Sequence, residues 1–522
     1  MLDPLLVLVA LICGLISRAL HLPALIGYLA AGFVLHELSF SEGELLRTLA
    51  EVGITLLLFT IGLKLQVKDL LRIEVWGTTL AHMLVTHGLI LSLFVAAVWL
   101  IPSLGLSFTA MLLLAFALTF SSTVFVIQIM QERGEMASRH ARLAVGVLII
   151  QDLAAVLFLA ASTGKVPHWS ALGLLLLIPL KRPIIRLLKL TGHGELFTLA
   201  GFALAFLGAQ LFDLVGLKGD LGALLLGALL AGEQKAKELA KSLLYFKDLF
   251  LVGFFLSIGL AGWPTGDVLL IAITLGALSL LKPWLYFLLF TKFHVAPRTS
   301  LLASASLASH SEFGLIVIAL AVTNDWIGSE WTAAMSIAIA TSFVLASPLN
   351  RVSHRLYQRF RPSFLPFESP KVRAALPDTR NVTVMVLGMG NIGTGAYESI
   401  AQEYGERVLG IDDNDRKLAT HRALHRRVAA ADASDPDFWH RVALDELKLV
   451  MLALTNHQEN LLVGKLLKDM GYRGELAAVV RFEEEAAELK KLGISAFNLY
   501  AQAGEGFAAH AVDSLSPLQV PR

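Results

Sequence analysis

The sequence predicts a polytopic α-helical membrane protein that continues into a soluble α/β domain. Three observations lead there. Of 522 residues, 56% are hydrophobic and only 16% charged, against roughly 25% charged in soluble proteins. Charged residues are sparse up to about Leu349 and dense from Arg351 onward, which divides the chain near Asn350. A Val-rich run before Gly388 then opens into Gly388, Gly390 and Gly393, spaced G-x-G-x-x-G, the pattern of a nucleotide-binding strand, turn and helix. The expected organisation is a membrane domain over 1–350, a cytoplasmic linker over 351–380 and a nucleotide-binding domain over 381–522. A single cysteine, Cys13, excludes an intrachain disulfide framework and a cysteine-based metal site. The net charge of +1 points to no particular partner, and no nucleic acid is expected.

A helix needs about 20 apolar residues to cross hydrocarbon, fewer where it is broken. About thirteen candidate spans follow: near 3–20, 24–36, 48–65, 75–101, 107–131, 138–162, 168–190, 194–214, 219–232, 245–262, 266–290, 299–322 and 329–349. The first lacks a basic flank and a small-residue cleavage site, so it reads as a retained span. Basic residues gather in alternate loops, among them Arg18, Lys68, Arg139, Lys181, Lys241 and Arg298. The opposite loops carry little beyond Arg47, Lys165 and Lys218. By the positive-inside rule the N-terminus is outside and everything after Arg351 is cytoplasmic.

An internal repeat is expected as well. LIGYLAAG at Leu25 to Gly32 recurs as LLGALLAG at Leu225 to Gly232, and FTIGL at Phe59 to Leu63 recurs as LSIGL at Leu256 to Leu260. An odd number of spans separates the copies, which makes the repeat inverted, the mark of a secondary transporter with its site near the midplane. The polar residues within spans point the same way. Asp152, beside Gln151, stands mid-run in LAVGVLIIQDLAAVLFLAAS, where a carboxylate costs on the order of 2.5 to 3.5 kcal/mol and needs a cavity, a partner or a proton. The alternative is a structural pairing with a lysine. Thr119, Ser121, Ser122 and Thr123 share one span; each alone suits hydroxyl back-bonding, and together they suit a broken helix lining a cavity. Ser306, Ser309, His310, Ser311, Glu312 and Gly314 interrupt a later run in the same manner. Lys282, ahead of Pro283, is the remaining charge at depth; it either snorkels or meets an inward partner. The transport path is thus expected at Asp152, Gln151, Thr119, Ser121, Ser122, Thr123, Glu312 and Lys282, with Asp152 taking the monovalent cation.

Together, PALIGYLAAG, LLLFTIGLKL, SSTVFVIQIMQERGE, the QD pair and SEFG resemble the Kef-type monovalent cation:proton antiporters, bacterial potassium efflux exchangers of the inner membrane. The resemblance covers essentially the whole chain. It implies a sodium/proton antiporter-like fold, a homodimer, and two broken helices that cross at Thr119 to Thr123 and Ser309 to Gly314, with Asp152 beside them binding proton and cation in turn. Sodium-type relatives carry two acids or Asn-Asp at the pair, so Gln151 resembles the potassium type, with sodium/proton exchange as the alternative. Burial penalises a bare charge, so proton and cation compete for one carboxylate, and a single carboxylate predicts one proton for one potassium. Lys282 is the candidate to compensate Asp152 in the empty state. Glutathione-gated members have an acidic loop where this chain has the lysine-rich EQKAKELAKSLLYFKD, Glu233 to Asp248, which departs from that control and leaves an ancillary cytoplasmic regulator as a candidate partner.

The linker, with Arg351, Arg355, Arg359 and Arg361, suits contact with anionic membrane lipids. Beyond it, strand, glycine turn, helix and a second strand ending at Asp412 compose a Rossmann-like nucleotide site. Its candidate residues are Gly388, Gly390, Asn391, Ile392, Gly393, Asp412 and Asp413. The alternation resembles the RCK or KTN domains that regulate potassium transport, and adds Asp432, Ala433, Thr455 and Asn456 on the adenosine side, with NAD(H) or AMP as the expected cofactor. Little length follows the last strand beyond a helix expected near Gly506 to Leu515, which weighs against a membrane-anchored NAD-dependent oxidoreductase. An RCK-gated channel fits poorly because no T-V-G-Y-G filter appears.

Overall fold

A computed structural model describes residues 4–20, 22, 24–40, 43–64, 72–133, 135–136, 138–162, 177–192, 194–215, 219–260, 262–263, 266–374, 379–454, 456–504 and 508. Two compact units emerge, Met1–Ile129 with His140–Phe367, and Met130–Arg139 with Glu368–Arg522.

The first unit is helical: α1 (Pro4–Ala19), α2 (Ala24–Glu37), α3 (Glu44–Lys64), α4 (Ile73–Leu100), α5 (Phe108–Ala117), α6 (Thr123–Glu132), α7 (Arg139–Ser162), α8 (Leu177–Leu190), α9 (Glu195–Leu214), α10 (Gly219–Leu230), α11 (Gln234–Leu260), α12 (Gly266–Leu278), α13 (Lys282–Lys292), α14 (Pro297–Ser306), α15 (Glu312–Thr323) and α16 (Glu330–Phe364). Every apolar run of the sequence falls on one of these or on a pair of half-helices; the run at 168–190 is described only from Leu177. Among the described residues, Ile73–Leu100, Glu195–Leu214, Gly266–Lys292 and Glu330–Phe367 are long and apolar enough to cross a membrane by themselves. Local chemistry sets the interruptions. Ser107 caps α5 by accepting from Ala110 N–H, Ser311 caps α15 by accepting from Phe313 N–H, and Pro283 restarts the helix after the 3-10 turn Ser279–Leu281. The lysine-rich stretch Glu233 to Asp248 is not a loop: from Gln234 it is the first half of α11. Ala236, Leu239, Ala240 and Leu243 bury one face there, as a 3.6-residue period requires.

The helices that carry the repeated words pack crosswise, each against the copy of the other word. Helix α2 packs on α11 and α3 on α10, in each case through glycine. A Cβ added at Gly32 would strike the Leu256 carbonyl, and one at Gly259 the Leu29 carbonyl; Gly62 faces the Leu224 carbonyl and Gly227 the Phe59 carbonyl. Small residues let backbones approach this closely where lipid offers no hydrophobic drive. Gly27 likewise faces Cys13 O of α1, as Gly222 faces Gly208 O of α9. By these contacts Gly27 corresponds to Gly222 and Gly32 to Gly227. The word match, which aligns Gly27 with Gly227, pairs the right helices in the wrong register, because short glycine words align equally well one turn along.

The second unit holds a six-stranded parallel sheet ordered β3-β2-β1-β4-β5-β6. Its strands are β1 (Val384–Leu387), β2 (Val408–Asp412), β3 (Val428–Ala430), β4 (Leu449–Leu452), β5 (Glu475–Val480) and β6 (Ser495–Asn498). The connecting helices are α17 (Pro370–Ala374), before the sheet, then α18 (Asn391–Tyr404), α19 (Asp415–Ala423), α20 (Pro436–Trp439), α21 (His457–Asp469) and α22 (Glu483–Lys491). Strand β1 is buried along its whole length, as a central parallel strand covered on both faces must be. It pairs with β2 on one side and β4 on the other, so the strand order reverses there, where such sheets open a ligand crevice.

Candidate functional site

In the first unit the breaks lie at 118–122, between α5 and α6, and at 307–311, between α14 and α15. Glu312 and Gly314 therefore belong to the first turn of α15 rather than to its break. A Cβ at Gly314 would strike the Ala117 carbonyl, so the two broken helices touch where only glycine fits. Each break frees backbone donors and acceptors that no lipid can satisfy.

Those groups are satisfied by side chains. Lys282 Nζ donates to Phe120 O at 2.8 Å and to Ser309 O at 3.2 Å, one carbonyl from each break. The lysine so stands where α5 and α14 end and the helix dipoles are negative. Both of these partners are backbone carbonyls. Glu312 occupies the opposite pole. It heads α15, and its Oε2 accepts from Ser122 Oγ at 3.0 Å and Ser311 Oγ at 3.4 Å. Ser122 Oγ in turn accepts from Phe125 N–H at the head of α6, so the carboxylate faces the positive ends of two helices.

Gln151 and Asp152 share α7 and are both buried. Thr123 Oγ1 lies 3.4 Å from Asp152 Oδ2, which sets the carboxylate against the start of α6. The Gln151 amide braces the first break: Oε1 accepts from Ser121 N–H at 2.9 Å, and Nε2 donates to Thr119 O at 3.2 Å and to the Tyr286 hydroxyl at 2.8 Å. Thr119 contributes its carbonyl, because its hydroxyl bonds back to Phe116 O; Ser306 back-bonds to Ala303 O in the same way. The His310 ring reaches Leu118 O through Nδ1 and Leu275 O through Nε2. Ser309 Oγ is buried with no partner among the described residues. The expected residues therefore assemble around both breaks.

Sequence reasoning misses Tyr286 and His82, whose rings stack at 3.6 Å. A signal is present for each. Tyr286 follows Lys282 by one helical turn, and Thr78, His82 and Thr86 recur at that spacing on α4.

In the second unit, Gly388 has φ +90 and a Cβ at Gly393 would strike the Gly388 carbonyl, whereas one at Gly390 would meet nothing. The first two features fold the turn and the third leaves room before the α18 N-terminus for a phosphate. A cavity of about 430 Å³ opens there and is lined in part by Gly390, Asn391, Ile392, Asn456, Arg481 and Phe482. Asp412 Oδ2 accepts from Met389 N–H at 2.9 Å and lies 3.3 Å from Lys417 Nζ, at the end of β2 outside that lining. Asp413 is its neighbour there. Asp432 is committed to a turn through the Ser434 N–H and hydroxyl, and Ala433 O accepts from Trp439 Nε1. Neither lines the cavity. Asn456 caps α21 by accepting from Gln458 N–H and also borders the cavity. Thr455 and the helix expected near Gly506 to Leu515 lie outside the described residues, apart from Ala508.

Fold and site together define a membrane transporter joined to a Rossmann-like nucleotide-binding domain. Residues 7–351 match the family described as sodium/hydrogen exchanger, transmembrane, and residues 384–498 match the TrkA-N domain; the chain belongs to that exchanger family and carries that domain. Among curated relatives, the glutathione-regulated potassium-efflux system protein KefC of Shigella flexneri is 28% identical over 506 residues, 92% of this chain and 79% of the relative. The KefC of Escherichia coli O45:K1 is 27% identical over the same shares. Among solved structures, the sodium proton antiporter MjNhaP1 of Methanocaldococcus jannaschii covers 69% of this chain and 96% of its own at 15% identity, with a TM-score of 0.42.

Proposed function

We propose that the protein exchanges potassium for protons in the direction of potassium efflux, with Asp152 holding proton and cation in turn and a nucleotide at the TrkA-N domain regulating the exchange. The observation that carries this reading is the place of Asp152: a buried carboxylate one residue from the amide that braces a helix break, and within reach of Thr123 at the head of the next half-helix. A charge so placed needs a cation or a proton beside it. The relatives' names, potassium-efflux systems, and the neutral Gln151 favour potassium; the family's description favours sodium as the second reading.

Glu312 adds a second buried carboxylate to the site. With Asp152 alone exchanging its partner, one proton still replaces one potassium and no net charge moves. The Gln151 carbonyl accepts from Ser121 N–H and keeps a second lone pair. At the soluble domain, the crevice lined in part by Gly390 and Arg481 lies at the strand switch point, where such sheets bind nucleotides, and NAD(H) or AMP is the proposed occupant. A homodimer in the bacterial inner membrane completes the reading, its N-terminus outside, all thirteen runs crossing, and its soluble domain cytoplasmic beside anionic lipids and open to an ancillary regulator. Proton flux into proteoliposomes under potassium, sodium or choline gradients tests it; equal flux with choline would end the exchanger reading.

A further inference from the structure

We infer that Tyr286 is a positioning residue of the exchange site, acting through Gln151. The inference rests on the exchange reading above and extends it to a residue on α13. Tyr286 is fully buried. Its ring lies flat against His82 of α4, 3.6 Å between centroids and 5° between planes, so the hydroxyl has one place to be. That place is between two groups of the first break: Gln151 Nε2 at 2.8 Å and Ser121 Oγ at 3.4 Å.

Hydrogen counting fixes the direction of the chain. Ser121 Oγ spends its single proton on Leu307 O at 3.0 Å, so toward Tyr286 it accepts. The Tyr286 hydroxyl therefore donates to Ser121 and accepts from Gln151. The Gln151 amide has two protons; Thr119 O takes one and Tyr286 takes the other, while its carbonyl accepts from Ser121 N–H. A single line of donors runs from α7 through α13 to the second break. Lys282, one turn before Tyr286, fastens the same face of α13 to both breaks through Phe120 O and Ser309 O.

Removing the hydroxyl leaves a buried amide proton with no acceptor, and such groups are costly to strand. The amide then swings, Thr119 and Ser121 lose their brace, and Thr123 two residues on moves against Asp152. The first effect is on the cation's ground-state fit, not on the carboxylate that carries it. The tyrosine should matter only while Gln151 is there to be held.

A double-mutant cycle reads this directly in proteoliposomes, using whichever monovalent cation drives proton exchange in the unmodified protein. Tyr286→Phe is expected to raise KM for the cation about tenfold with kcat changed less than about threefold, and to add nothing in a Gln151→Met background, since residues acting through one contact are not additive. An equal penalty from Tyr286→Phe with and without Gln151→Met would overturn the inference, as would an unchanged KM in the single variant. Should Gln151→Met not accumulate, Gln151→Asn, whose amide stops a methylene short of the hydroxyl, takes its place. Absence of cation-driven flux in the unmodified protein would instead remove the exchange reading itself.

Discussion

Gln151 and Asp152 are adjacent on one helix and have different tasks. Gln151 turns to the broken backbone and replaces hydrogen bonds that the break removes; Asp152 turns to Thr123, where the proposed function has it exchange its proton for a cation. Both positions are legible in the sequence, because a carboxylate in the middle of an apolar run is conspicuous. Their division of labour is not, since an amide that braces backbone and one that binds a cation look alike in a sequence. The same limit holds at Lys282, whose depth is legible and whose two carbonyl partners are not. Lys282→Met should leave Phe120 O and Ser309 O without their donor; a loss of about 1–3 kcal/mol is usual for each stranded buried group. The expected result is a lower melting temperature of the purified protein and a collapse of exchange, and normal values of both would show that the lysine does not hold the breaks. Gly390→Val belongs to this scale too. No protein atom lies within 4 Å of a Cβ built there, so stability should hold while affinity for NAD(H), measured by calorimetry, falls about tenfold for each 1.4 kcal/mol of lost contact. Unchanged affinity would place the nucleotide elsewhere.

Helices are the most legible elements, because a run of about 20 apolar residues matches the thickness of a bilayer and suits little besides. Their correspondence is legible in part: the repeated glycine words name the equivalent helices, α2 with α10 and α3 with α11, and the register of the first pair slips because its words carry glycines about a turn apart. The lysine-rich stretch before Phe250 reads as a loop because charge masks its period, and it folds as helix since Ala236, Leu239, Ala240 and Leu243 share a face. At the crossing, Gly314 decides the geometry. Gly314→Leu should force the half-helices apart, with overpacking costs typically about 1–3 kcal/mol; a lowered melting temperature together with lost flux is expected, and full flux would mean that α5 and α15 need not touch. In the soluble domain the glycine turn and the acid ending β2 are legible from spacing. The cavity wall at and just after β5, with Val480, Arg481 and Phe482, is not, because no motif marks a strand end that merely faces the crevice.

For the molecule as a whole, the proposed exchange of one proton for one cation at a single carboxylate makes an electroneutral cycle. Glu312 and Lys282 each bond to groups of the two breaks, and in the proposed cycle Asp152 trades a proton for a cation. A potential-sensitive dye should stay flat while a potassium gradient drives protons; a current with protons as the only counter-ion would bring Glu312 or Lys282 into the titration. The most direct measurement is potassium-driven proton flux in proteoliposomes containing either the unmodified protein or Asp152→Asn, each verified as folded. The expected result is robust flux in the first and none in the second. Potassium-coupled flux at the unmodified rate in Asp152→Asn would contradict the assignment of exchange to this carboxylate.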